Sequence, residues 1–252
     1  MSPPVPAPPR PPRDPSLRRS LALFRSFLHE QSDPAACYDL LARDSADQIE
    51  RHIPLKDAVV IDVGGGPGHF TAEFRRRGAR GYLFELDPHE LTARGKAPDF
   101  GVIADGFQLP LADGTADVSF SSNVLEHVPD PHRFLGEMVR VTRPGGLIYA
   151  AFTNWLSPWG GHETAPWHYL GARRARERYR RRTGRPAKHT LGENLFAHHI
   201  GPTLRHVKAR DDVAILTARS RYAPFLAEAI PRLPGVREII TWNLLLVLRR
   251  LP

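Results

Sequence analysis

The chain of 252 residues carries a formal net charge of +8 and one cysteine. That length suits a single α/β domain with an insertion, able to bury roughly 75% of the surface its unfolded chain exposes, so no covalent staples are needed. The lone Cys37 excludes an internal disulfide framework and a cysteine-rich metal site, no segment has the length of a signal-peptide apolar core, and the apolar stretch from Tyr222 to Leu248 is broken by Pro231, Pro234 and several charges, so a soluble cytoplasmic protein is expected.

Residues 1–14 are rich in proline with little to bury and predict a disordered tail ahead of one domain over 15–252. Asp14-Pro15 and Asp33-Pro34 each set a capping side chain before a proline suited to the first helical position, which predicts two helices within 15–54. Leu17, Leu21, Phe24 and Leu28 fall at i, i+4, i+7 and i+11 of the first helix, and Tyr38, Leu41, Ser45 and Ile49 trace a face of the second. From Ala58 the pattern changes to short β-rich runs separated by helical stretches: Ala58 to Val63, Gly81 to Glu85, Val102 to Ala104, Asp117 to Ser121 and Leu147 to Thr153. Such alternation predicts a doubly wound parallel sheet with helices on both faces. The clearest helix starts at Asp130-Pro131, buries Phe134, Met138 and Val141, and ends before Pro144-Gly145-Gly146. After Thr153 the rhythm breaks, and residues 154–195 predict an inserted cap of loops and an arginine-rich helix before a sixth strand at Val213 to Ala218 and a seventh at Asn243 to Leu248.

The first strand runs into Asp62-Val63-Gly64-Gly65-Gly66-Pro67-Gly68-His69. Glycines 64, 66 and 68 let the backbone approach a ligand and adopt positive φ. The dinucleotide fingerprint would need a small residue at 69, and His69 stands there, so a pyrophosphate is disfavoured. A ligand with an ammonium, a sulfonium and a ribose diol instead calls for carboxylates near the turn. Asp62, Glu85 and Asp105 end three successive strands and are placed to supply them, Glu85 to the two ribose hydroxyls and Asp105 to an adenine amino group. Asp87 is a weaker alternative to Glu85.

Val60-Ile61-Asp62-Val63-Gly64-Gly65-Gly66-Pro67-Gly68, Phe84-Glu85-Leu86-Asp87-Pro88 and Asp105-Gly106-Phe107-Gln108-Leu109-Pro110-Leu111 resemble the first three motifs of the class I S-adenosylmethionine (SAM)-dependent methyltransferases. Ser121-Ser122-Asn123-Val124-Leu125-Glu126-His127-Val128 and Arg140-Val141-Thr142-Arg143-Pro144-Gly145-Gly146 continue the series in order. The resemblance is strong over 55–155 and loose beyond. It implies a Rossmann-like sheet of seven strands with the last antiparallel, SAM as methyl donor, and roles in holding it for Asp62, Gly64, Gly66, Gly68, Glu85, Asp105, Phe107 and Asn123.

The acceptor is less legible, because fold does not choose it. Ser122-Asn123-Val124-Leu125 stands where amino-methylating nucleic-acid enzymes carry Asn- or Asp-Pro-Pro-aromatic, so a nucleic-acid acceptor is not expected. The insertion resembles an actinobacterial subgroup of unassigned acceptor and contains Trp155, Trp159 and Trp167, which suit either an aromatic pocket or a small satellite core. His162 follows Gly160-Gly161 and is the candidate general base, with Glu163 or a tryptophan to orient it and His168 as the alternative base. The spacing of His162, Glu163 and His168 is not that of a helical zinc site, so no metal is expected. Adjacent His198 and His199 suit the surface.

Residues 172–189 hold eight arginines and Lys188 against Glu177 and therefore the whole net charge. They suit an anionic acceptor, peripheral contact with a membrane or another polyanion, or simply a solvated helix face. The reading is a methyltransferase acting on a small-molecule, glycan or lipid acceptor, with a polyanion- or membrane-surface-binding module of little turnover as the alternative.

Overall fold

The computed structural model describes residues 17–28, 33–222 and 228–252. The proline-rich tail and the Asp14-Pro15 cap lie outside the described residues. Two helices, α1 (Leu17–Leu28) and α2 (Pro34–Ile49), precede the sheet. Asp33 accepts a hydrogen bond from the Ala36 N–H at 3.1 Å, and Pro34 opens α2 as the sequence predicts. Leu41, Ser45 and Ile49 are buried on one face of α2, with Tyr38 half-buried on the same side.

Seven strands follow: β1 (Val59–Val63), β2 (Arg80–Glu85), β3 (Gly101–Ile103), β4 (Ala116–Ser122), β5 (Thr142–Thr153), β6 (Val213–Ser220) and β7 (Asn243–Arg250). Their spatial order is 3-2-1-4-5-7-6, with the first five parallel and β7 antiparallel to both β5 and β6. Because the chain steps from β3 back across to β4, a crevice opens at the carboxyl end of β1, the usual ligand position in such sheets.

Period-two alternation builds both faces of the core. On one face Ile148, Ala150 and Phe152 of β5 and Leu244, Leu246 and Leu248 of β7 pack against Phe134 and Met138 of α5 (Pro131–Val141). On the other, Tyr149, Leu245 and Val247 pack with Phe120, with Phe70 and Phe74 of α3 (His69–Arg76), and with α2. Asp130 caps α5 through the His132 and Arg133 N–H groups. β5 begins five residues earlier than the sequence predicts, because Thr142 pairs with Ala116 ahead of a register shift.

Short α4 (Pro88–Leu91) follows β2. Between β5 and β6 lie two 3-10 turns, α6 (Ala172–Thr183) and α7 (Ile200–Lys208), and α8 (Val236–Ile240) precedes β7. The two 3-10 turns and α6 fall inside the predicted cap, and α7 lies beyond it. Ile200, Leu204 and Val207 of α7 bury into the main core with the spacing of an amphipathic helix that the sequence reading left unassigned.

Arg221, just after β6, is completely buried. Its guanidinium donates to Ser45 Oγ of α2 and Ser122 Oγ of β4, each at 2.8 Å. The same region ties α1 to α2, where Arg19 forms a two-pronged ion pair with Asp44. No helix of the described residues is long and apolar enough to cross a membrane.

Candidate functional site

The turn after β1 has φ of +74° at Gly64, +53° at Gly66 and +84° at Gly68, a left-handed conformation that favours glycine. The Gly64 N–H donates to the Phe84 carbonyl at 2.7 Å, and a Cβ at Gly64 would meet the Val124 methyls at 2.7 Å. At Gly66 the same direction is open space. The turn is thus closed towards β4 and open where a ligand would lie.

Asp62 sits below it, 1% exposed. Its Oδ2 accepts from Thr71 Oγ1 at 2.7 Å, while Oδ1 is buried with no hydrogen-bond partner among the described residues. Burial, aided by the nearby Glu85 charge and opposed by Thr71, raises this carboxyl from 3.8 to about 7. A buried acid so short of partners is suited to a cationic ligand.

Glu85 closes β2 and reaches across the turn, its Oε2 accepting from the Gly66 N–H at 2.9 Å and Oε1 from the Asp87 N–H at 3.1 Å. A carboxylate has room for further donors beside these two. Asp87 instead caps α4 through the His89 N–H at 2.8 Å. Asp105, exposed after β3, accepts from the Phe107 N–H at 2.8 Å; Phe107 is half-buried, edge-on to Phe134, with the Arg133 guanidinium 5.1 Å above its ring. Asn123 follows β4 with φ of +59°, and its Oδ1 accepts from Asn243 Nδ2 at 2.9 Å. All the residues expected to hold the cofactor therefore lie at the carboxyl edge of the sheet. Tyr38 of α2 stacks on His69 at 5.6 Å, and Asp39 pairs with the His69 ring at 2.7 Å, so α2 borders this turn.

The residues expected to do acid-base work separate. His162 has φ of +50°, and burial, then the imidazoles of His127 and His189, push it down to about 3. Glu163 does not orient His162: it turns to His189, accepting from the backbone N–H at 2.7 Å and pairing with Nδ1 at 2.6 Å. Burial pushes the Glu163 carboxyl up, but these His189 contacts outweigh it and hold it down at about 2. His168 is 3% exposed, its Nε2 lies 3.0 Å from the Trp155 carbonyl, and its ring packs against Gly161.

The three tryptophans also part company. Trp155 packs on His168, Trp167 lies under Arg178 at 4.0 Å, and Trp159 joins Phe24 and Trp242, 4.7 Å from the latter. The cavity between these last rings, bordered by Thr153 and Asn243, holds about 10 Å³, no more than one water. His198 is not a surface histidine, being half-buried with Nε2 2.8 Å from the Val128 carbonyl.

In α6 only Ala175 is buried and every arginine is exposed. Glu177 pairs with Arg180 at 3.1 Å and Arg181 at 2.8 Å. The helix, with Pro186, Ala187 and Thr190, lines an open groove of about 1080 Å³. All seven arginines of α6 border this groove.

Sequence reasoning gave no role to His127, although it lies in the quoted fourth-strand motif, nor to His189, Trp242 or Arg221. Their meeting is tertiary, and no local spacing announces it.

Residues 61–150 match the family model of the methyltransferase domain. Proteins described as uncharacterized methyltransferases are similar over nearly their whole length: one from Mycobacterium sp. (strain KMS) is 45% identical, covering 93% of this chain and 95% of its own, and one from Mycobacterium ulcerans (strain Agy99) is 43% identical, covering 92% and 94%. An S-adenosylmethionine dependent methyltransferase from Mesorhizobium loti superimposes with a TM-score of 0.55 at 21% identity, over 81% of this chain and 96% of that one. Geranyl diphosphate C-methyltransferase from Streptomyces coelicolor A3(2) gives 0.54 at 15% identity, over 83% and 77%. At these identities the two structures share the fold.

Proposed function

The chain belongs to the methyltransferase family of these mycobacterial proteins, and from that premise we propose that its donor is SAM and its acceptor a small molecule, glycan or lipid with an anionic group. The observation that carries the donor is the buried, unpartnered Oδ1 of Asp62 beneath an open glycine turn. Asp62 would favour the ammonium, Glu85 the ribose hydroxyls, and Asp105 the adenine amino group, with Gly64, Gly66, Gly68, Phe107 and Asn123 shaping the remaining walls. Bound there, SAM supplies an electrophilic methyl for in-line displacement by an oxygen, nitrogen or carbon nucleophile.

The chain's own share of the chemistry is mostly positioning, which can contribute roughly 7 to 11 kcal/mol towards the barrier. His162 stands in the insertion where the base is expected. With its pKa pushed down to about 3, however, it is a weak proton acceptor and suits that task poorly. The anionic character of the acceptor is supported by the exposed arginines of α6, which offer bidentate sites for phosphate or carboxylate. The same exposure favours one alternative, a polyanion- or membrane-surface-binding module with little turnover.

Incubation with methyl-labelled SAM and fractionated lysate of the source organism, followed by mass spectrometry, tests the proposal. A labelled small molecule, glycan or lipid is expected. Salt-dependent polyanion binding without SAM consumption would favour the alternative, and tight binding of NAD in place of SAM would overturn the donor.

A further inference from the structure

A second group of side chains gathers at the carboxyl edge of the sheet. His127 ends the 3-10 turn after β4, His162 lies in the loop after β5, and His189 follows α6. Their ring centroids are 4.9 Å apart for His127 and His162, 5.1 Å for His127 and His189, and 4.6 Å for His162 and His189. One ring nitrogen from each lies within 4.8 Å of the other two.

We propose that His127, His162 and His189 form a binding site for one divalent transition-metal ion of the zinc type. The hydrogen bonds around the rings support it. His189 Nδ1 is 2.6 Å from the Glu163 carboxylate and His127 Nδ1 is 2.7 Å from the Asn194 carbonyl. Each acceptor fixes a proton on Nδ1 and leaves the Nε2 lone pair free, the outer-shell arrangement that orients metal-ligating histidines. The Nε2 of His162 is buried and has no hydrogen-bond partner among the described residues, a cost that a metal ion would remove. His162 also holds a left-handed φ of +50°, a strained conformation for a non-glycine residue.

The donor set narrows the ion. Three imidazoles suit zinc, copper, nickel or iron, whereas magnesium and calcium prefer oxygen. Tetrahedral zinc with bonds of about 2.0 to 2.1 Å needs ligand nitrogens about 3.3 to 3.4 Å apart, so rotation of the rings inward by a fraction of their present spacing closes the site. Three protein nitrogens leave a fourth position for water or an oxygen of the acceptor, the pattern of open rather than purely structural sites. The binding site itself does not depend on which acceptor is methylated. Local spacing could not predict it, because Glu163 serves from outside and His168 takes no part.

The test uses tag-free, chelator-treated full-length protein titrated with Zn²⁺ in a calorimeter, with Co²⁺ absorption to report coordination geometry. One equivalent of Zn²⁺ should bind, with a tetrahedral Co²⁺ spectrum, and the His127→Ala and His189→Ala variants should each lose stoichiometric binding while keeping cooperative thermal unfolding. Glu163→Gln should weaken binding by about 10- to 100-fold. His89→Gln, an exposed histidine outside the cluster, should leave the stoichiometry unchanged. Failure of the wild type to saturate, or unchanged binding in the His127→Ala/His189→Ala double variant, overturns the site.

Discussion

The carboxylate of Glu85 accepts a hydrogen bond from the Gly66 N–H at 2.9 Å, tying the end of β2 to the apex of the glycine turn after β1. One side chain therefore shapes the turn and presents its remaining lone pairs to whatever enters. Glu85→Ala should weaken SAM binding by about 1.5 to 3 kcal/mol, the usual loss for hydrogen bonds to a charged group, or about 10- to 150-fold in Kd. Calorimetry on the folded variant decides it, and an unchanged Kd would remove Glu85 from the ribose site.

Asp62 gives a prediction in pH. Its folded-state pKa is raised from 3.8 to about 7 by burial, so the fold keeps a proton that the unfolded chain gives up near pH 4. The stability this contributes is fully present below about pH 4 and is lost as pH rises to about 7, at no more than about 1.4 kcal/mol per pH unit. Thermal denaturation should show wild type losing stability relative to Asp62→Asn across that window. On the proposed placement of the SAM ammonium against Asp62, saturating SAM should restore more stability at pH 8 than at pH 5 in the wild type alone. Parallel profiles for the two proteins would show that Asp62 does not titrate there.

Exposed arginines act at range and are screened by salt. Replacing Arg180, Arg181 and Arg182 with Gln should make the protein elute from immobilised heparin at lower salt and flatten the salt dependence of acceptor binding, with SAM affinity unaltered. An identical elution position and salt slope would reduce α6 to a solvated face.

His168, the alternative base in the sequence reading, is packed as a structural ring. His168→Ala leaves the Trp155 carbonyl without its partner and opens space beside Gly161, so it should cost at least about 1 to 3 kcal/mol and lower the Tm by several degrees. SAM affinity and, once an acceptor is known, the single-turnover rate should persist at temperatures where the variant is folded. A large loss of rate without a fall in Tm would return His168 to the chemistry.

The parallel sheet was legible because each strand is a short apolar run ended by chemistry: Asp62, Glu85 and Asp105 mark three successive strand ends, and parallel winding must bring such ends to one edge. The cap was legible as a break in rhythm but not as geometry. Glu163 lies next to His162 in sequence, yet its carboxylate goes to His189, 26 residues away. His127 and His189 meet only because the loops after β4 and α6 converge. Trp242 lies far from the other tryptophans in sequence, yet it packs on Trp159 because β7 runs antiparallel beside β5. A helical period at Ile200, Leu204 and Val207 was present to be read, whereas the longer start of β5 depends on a pairing with Ala116 that no local pattern encodes.

Buried Arg221 has a consequence for how the chain can be dissected. Its guanidinium rests on Ser45 of the second N-terminal helix as well as on Ser122 at the end of β4, so those helices are part of what makes a cation tolerable inside the protein. A shortened chain that starts at β1 would strip away one of its two hydroxyl partners and much of its cover, leaving a charge in a half-open interior. Helices α1 and α2 are thus built into the interior of the domain, joined to each other through Arg19 and Asp44 and to the sheet through Ser45 and Arg221.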